Sequence, residues 1–265
     1  MFMRTLRRVC RLLIIIVSSA IYCAGVQLIA WLLSPEAEIR FRARSQQYGS
    51  RWLCFVMGIR RSVEPAIAEA KADLIVSNHI GALDPLVLSA TRPVTLVANA
   101  GVRDWPFIGW VARQMGVLFV ERGRAQNVGA LIDAMHDRMA AGVPVVAFPE
   151  GTTTHGETVR PFKTGVFLSV AGRDDAHVLP VYLWLATAEG APASDVPTVA
   201  AWAGGERSFA AYGWTLLGLR HATMKVRAGR PIPTNSMGRK ALAQDAYAVV
   251  YALFETHVGR SATHP

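Results

Sequence analysis

Cysteine is scarce and poorly placed for chemistry. Cys10, Cys23 and Cys54 are the only three in 265 residues, all within the first 60, so neither a disulfide scaffold nor a thiol nucleophile is indicated. No G-x-S-x-G nucleophile elbow occurs anywhere, which argues against a covalent serine mechanism. No H-E-x-x-H or Cys/His cluster occurs either, and His136, His155, His177, His221, His257 and His264 are scattered, so no metal site is expected. Acidic residues are the minority charge: 19 Asp and Glu against 28 Lys and Arg give a net charge of +9. Such a balance suits nucleic acid or an anionic membrane surface. Zinc-finger spacing, an RNA-binding sheet signature and a Lys-rich tail are all missing, so nucleic acid is not an expected partner.

Charge itself is absent from one long stretch. Leu12 to Leu33 holds no charged residue in 22 positions; as a helix it would be roughly 33 Å long at 1.5 Å per residue, just enough for a hydrocarbon core of about 30 Å. Both flanks are basic, with Arg4, Arg7, Arg8 and Arg11 before it and Arg40, Arg42, Arg44 and Arg51 after, so charge does not set an orientation. A second apolar stretch, Trp52 to Ile59, is too short to span. Together the two predict a helical hairpin dipping into one leaflet and leaving both ends cytoplasmic. A cleaved signal peptide fits less well, because the run exceeds a usual apolar core and no clear A-x-A site follows. Residues 1–60 are therefore expected to form a membrane anchor, with membrane lipids as partners. Residues 61–265 are expected to form a catalytic domain on the cytoplasmic side of the cell inner membrane.

From Ser62 onward, strand-like apolar runs alternate with helical patterns, which predicts an α/β fold. Strands are expected near 73–77, 94–98, 117–120, 143–148, 177–184 and 223–228, and helices near 125–141, 165–171 and 239–257. Two aromatic stretches stand out, Trp105 to Trp110 beside Arg103 and Arg113, and Trp202 to Arg220; each suits either a lipid interface or an ordinary core.

The stretch Ser77-Asn78-His79-Ile80-Gly81-Ala82-Leu83-Asp84-Pro85 follows the strand-like run Asp73 to Ser77 and ends in turn and helix-start residues. His79 and Asp84 should flank one tight connection. A carboxylate on one imidazole nitrogen fixes the tautomer, leaves the other nitrogen free to take a proton, and stabilises the imidazolium formed. Asn78 is read as holding the turn through its side chain.

Three later blocks keep this stretch company: Gly116-Val117-Leu118-Phe119-Val120-Glu121-Arg122, Phe148-Pro149-Glu150-Gly151-Thr152 and Val178-Leu179-Pro180-Val181. In that order they resemble the glycerolipid acyltransferase family that includes the 1-acyl-sn-glycerol-3-phosphate acyltransferases, over roughly residues 70 to 235. The resemblance implies a mixed sheet flanked by helices, with the N-terminal helical segment as anchor. It also implies acyl transfer from acyl-CoA or acyl carrier protein (acyl-ACP), with no cofactor, to a lysophospholipid acceptor, giving phosphatidate from 1-acyl-sn-glycerol-3-phosphate. His79 would be the base and Asp84 its orienter, while Arg122, Glu150, Gly151, Thr152 and Lys163 would bind substrate. Two positions depart from the phosphatidate-forming pattern, Thr153 for Arg and Asn99 for Lys. They keep lyso-ornithine lipid, which has no phosphate, as an alternative acceptor. An inactive, membrane-anchored lipid-binding protein is the rival of another class, and it has no need of His79, Asp84, Arg122 and Glu150 together.

Overall fold

The computed structural model describes residues 2–121, 128–189, 191, 199–202 and 208–262. It opens with a hairpin of two long helices, α1 (Phe2–Ala30) and α2 (Pro35–Met57). Pro35 occupies the first turn of α2, where its missing N–H costs nothing, and Glu36 and Glu38 complement the positive end of the helix dipole. Gly58, at φ 72°, ends α2 and returns its N–H to the carbonyls of Cys54 and Phe55. The second arm is thus far longer than the expected Trp52 to Ile59 and takes in Arg40, Arg42, Arg44 and Arg51. Hydropathy misses it because its inner face is polar: Ser45, Gln46, Gln47 and Ser50 are buried. They pack toward α4 (Leu83–Thr91) through Gln46 Nε2 to Ser89 Oγ at 2.8 Å and Gln47 Nε2 to the Thr91 carbonyl at 2.9 Å.

The sheet contains β1 (Ile59–Val63), β2 (Leu74–Ser77), β3 (Thr95–Asn99), β4 (Leu118–Val120), β5 (Val145–Ala147), β6 (His177–Ala188), β7 (Ala222–Ala228) and β8 (Ile232–Pro233). Its order is β1-β7-β6-β2-β5-β3-β4, with β8 also on β6. From β6 through β2, β5 and β3 to β4 every pairing is parallel, and β6 pairs antiparallel with β7 and β8. Parallel strands covered on both faces read as unbroken apolar runs. Leu74, Val76, Val145, Ala147 and Val178 turn toward α6 (Val128–Ala140) and α8 (Arg239–Ala262), while Ile75, Val146, Leu179 and Val181 turn toward α4 and α7 (Phe209–Gly218). The two core layers lie on opposite faces of one sheet, as period-2 alternation requires. Two further short α-helices among the described residues are α3 (Ala66–Glu69) and α5 (Ile108–Gln114), the latter preceded by a 3-10 turn, Ala100–Asp104. Where a helix was expected near 165–171 there is one 3-10 turn, Val166–Ser169.

The hairpin is fastened to this body along the length of α1. Arg7 Nη1 donates to the Gly218 carbonyl at 3.1 Å, and Arg11 donates to the carbonyls of Leu217, Leu219 and Arg220. Leu217 and Gly218 belong to the last turn of α7, whose carbonyls lack intrahelical partners, and Leu219 and Arg220 lie just beyond it. Arg8 lies over the Trp214 ring at 5.3 Å. Toward the other end of α1, Cys23 and Val26 pack with Met115. Much of the hairpin nonetheless stays outside: Ile21 on α1 is 70% exposed, Trp31 and Leu32 in the turn 75% and 83%, and Phe55 on α2 75%.

Candidate active site

The functional residues gather where β2 ends, between β5 and β6. Leaving β2, Asn78 stands in for a strand residue: its side-chain amide donates to the Leu183 carbonyl and its side-chain oxygen accepts the Leu183 N–H, both at 2.9 Å. That pairing pins the start of the turn to β6. His79 follows, and its Nδ1 lies 2.7 Å from Asp84 Oδ2. Asp84 sits in the first turn of α4 and is fully buried. The same oxygen accepts the backbone N–H groups of Ile80 at 2.6 Å and Gly81 at 2.8 Å. These donors and the helix N-terminus stabilise a buried negative charge. With Nδ1–H donated to that carboxylate, Nε2 is the nitrogen left to accept a proton.

The turn after β5 grips His79 from the other side. Glu150 Oε1 accepts the His79 N–H at 2.9 Å, Glu150 Oε2 accepts the Arg160 N–H at 3.2 Å, and Thr154 N–H donates to the His79 carbonyl at 2.9 Å. The ring of Phe148 stacks on the His79 imidazole at 4.2 Å. Both backbone groups and one ring face of His79 are therefore fixed by a single loop. Glu150 is 3% exposed. Burial pushes its carboxyl up to about 7, against the lowering effect of those two backbone donors. Glu150, expected to contact substrate, gives one carboxylate oxygen to the His79 N–H and the other to the Arg160 N–H.

Gly151 takes φ 71°, and a β-carbon there would lie 2.6 Å from Lys163 Nζ, so only glycine lets the lysine ammonium come this close to the loop. Thr152 is half-buried on the same loop, and Lys163 is exposed. Arg122 lies outside the described residues. Among the described residues, no group of three or more His, Cys, Asp or Glu is gathered that can hold a metal ion.

Sequence reasoning missed the strap across this turn. Trp202 N–H donates to the Ile80 carbonyl at 2.7 Å, and Thr153 Oγ1 donates to the Trp202 carbonyl. The fully buried Tyr212 hydroxyl donates to the Ala200 carbonyl at 2.7 Å and accepts the Ala82 N–H at 3.2 Å. Residue 81 must be glycine here, because a β-carbon would lie 2.2 Å from the Ala200 carbonyl oxygen. Trp105 and Trp202, far apart in sequence, meet edge-on at 5.7 Å, with Phe209 beside both. No local pattern foretells contacts between segments so distant.

A cavity of about 680 Å³ lies between α1, α2, α4 and α5. Ala82 and Pro85, from the segment that carries Asp84, form part of its wall, with Tyr22, Trp52, Phe107 and Val111 among the apolar side chains around it.

Known proteins with this pattern are informative. A family model described as Acyltransferase matches residues 60–184. The chain is 29% identical over 238 residues to a lyso-ornithine lipid O-acyltransferase of Pseudomonas aeruginosa, spanning 88% of this chain and 89% of that one. It is 30% identical over 202 residues to a lyso-ornithine lipid O-acyltransferase of Rhizobium meliloti, spanning 74% and 67%. The fold is similar to that of a 1-acyl-sn-glycerophosphate (LPA) acyltransferase, PlsC, from Thermotoga maritima, with a TM-score of 0.63 and 18% identity over 96% of this chain and 97% of that one.

Proposed function

The chain belongs to the glycerolipid acyltransferase family and is an acyltransferase of lysolipids, and we propose that it moves a fatty acyl group by direct general-base transfer. The donor is a thioester, acyl-CoA or acyl-ACP, and the acceptor is a lysolipid hydroxyl. The observation that carries this reading is the 2.7 Å contact between His79 Nδ1 and Asp84 Oδ2. A thioester is already activated, so the enzyme needs only to remove the hydroxyl proton as oxygen attacks; a base so placed contributes about 10² to 10⁴-fold. His79 Nε2 takes that proton, the new C–O ester bond forms, the C–S bond breaks, and the imidazolium returns its proton to the departing thiolate. Asp84 holds the ring throughout. Glu150 acts as a positioning residue, and Gly151, Thr152 and Lys163 form the rim that meets the acceptor.

Lyso-ornithine lipid is the acceptor this reading places first. The two relatives with broad coverage carry that activity in their names. The Thr153 hydroxyl, at the position where phosphatidate-forming members carry Arg, is committed to the Trp202 carbonyl. 1-Acyl-sn-glycerol-3-phosphate is the second reading, favoured by the Lys163 ammonium poised over Gly151. The cavity holds an acyl chain: its size lies within the roughly 300 to 1,000 Å³ of small-molecule sites. It is bordered by the exposed apolar side chains Ile21 and Trp52 of the hairpin. Because α1 is fastened to the body at both ends, the hairpin seats the enzyme on one leaflet. Purified protein offered a panel of lysolipids with each donor, products read by mass spectrometry, tests the assignment. Acylated ornithine lipid is the expected main product; phosphatidate alone would reverse the two acceptors, and transfer to neither would end the reading.

A further inference from the structure

Phe107 has φ 61° and ψ −56°, a backbone conformation that non-glycine residues avoid. The Ile108 N–H returns to the Pro106 carbonyl at 2.7 Å, which closes a γ-turn of the strained, positive-φ sense around Phe107. Strain of this kind persists only where the surroundings over-determine it. Here they do. Immediately before the turn, Trp105 is packed against Phe209 of α7 at 4.5 Å and, at 5.7 Å, against Trp202 on the strap that crosses the His79 turn. Immediately after it, Gly109 is so close to the preceding loop that a β-carbon would lie 2.1 Å from the Arg103 carbonyl oxygen, and Arg113 Nη1 donates to that same carbonyl at 2.7 Å. What the strained residue achieves is a place for its ring, half-buried in the wall of the acyl cavity beside Ile108 and Val111.

We infer that Phe107 is a specificity-determining residue whose strained turn holds its ring across the cavity and sets which acyl chains are accepted; this rests on the cavity holding an acyl chain. A glycine would satisfy the same backbone without strain but would supply no ring; the ring meets Trp110 at 6.1 Å and lines the cavity, and it is this cavity contact that serves the ligand. Because Trp105 belongs to the strap cluster, the turn also ties the cavity wall to the loop that clasps His79.

Two variants separate ring from strain: Phe107→Ala removes the ring and keeps the strained backbone, whereas Phe107→Gly removes both. Full-length protein is assayed with a donor series of rising chain length against one acceptor, then with an acceptor series against one donor. Discrimination among chains should fall by about tenfold or more in both variants, the scale of a lost wall contact in an apolar pocket. The series that shifts identifies whose chain, donor or acceptor, the ring reads. Brominated fatty acids of the same lengths, binding read by quenching of tryptophan fluorescence, give a length profile without turnover. Binding with no turnover by the wild type would sink the transferase reading while still deciding the role of Phe107. Thermal midpoints should place Phe107→Gly above Phe107→Ala. Length profiles unchanged in both variants, by turnover and by binding, would overturn the inference.

Discussion

At the scale of single residues, the proposed base His79 and its carboxylate partner Asp84 are expected to act as a unit. His79→Ala and Asp84→Ala should each reduce kcat by about 10² to 10⁴-fold, and the double variant should be no worse than the worse single one. Additive losses would place Asp84 outside the base machinery. Glu150 makes a different prediction, one of stability. Its carboxyl ordinarily ionises near 4.5 and is pushed up to about 7 in the folded chain. The folded state therefore keeps the proton that the unfolded state has already released. Stability from this group is fully present below about 4.5 and is lost as pH rises toward 7, a change of about 3 kcal/mol at 1.36 kcal/mol per pKa unit. Urea unfolding of Glu150→Gln across that window should show a flatter pH dependence than the wild type. The same slope in both proteins would mean that Glu150 ionises normally.

At the scale of elements, legibility followed burial. β2, β5 and β6 were readable because both faces are covered and their residues run unbroken as apolar. β1 was not, since it lies at the sheet edge with Arg60, Arg61 and Ser62 exposed and only Ile59 buried. Helix α4 was legible at its start, where Asp84 and Pro85 read as turn and helix-start residues, but its extent was not, because it is short and lacks a side-chain cap. The His79–Asp84 contact was legible because the two residues are five apart, whereas the Glu150, Thr154 and Tyr212 contacts join segments whose closeness exists only in the folded sheet. One inter-element contact carries a measurable consequence. Arg11 donates to one carbonyl in the last turn of α7, Leu217, and to two just beyond it, Leu219 and Arg220, and a hydrogen bond from a charged donor contributes about 1.5 to 3 kcal/mol. Arg11→Met, which keeps most of the stem, should lower stability by about 1 to 2 kcal/mol in denaturant unfolding. An unchanged midpoint would show the contact to be dispensable.

At the scale of the whole molecule, the hairpin belongs to the catalytic body as much as to the membrane. Cys54 joins the core layer that includes Ile75 and Leu179, and Arg51 donates to the Ala90 carbonyl at 2.9 Å. Removing residues 1–58 should therefore unfold the enzyme. Removing 1–33 leaves α2 intact from its Ser34 cap and should keep the secondary structure while losing retention on membranes. Circular dichroism and flotation on vesicles check both. A soluble, folded 59–265 fragment would show that the hairpin is an appendage.

The strand order also fixes a timetable. Ile59, at the start of β1, finds its neighbour only when Ala222 of β7 has been made, and β6 must first enter between β7 and β2. During synthesis the hairpin, with its apolar α1, leaves the ribosome long before the sheet is complete. A hairpin that binds lipid as it emerges would do so before the sheet is complete, and the active site would then assemble at the membrane surface.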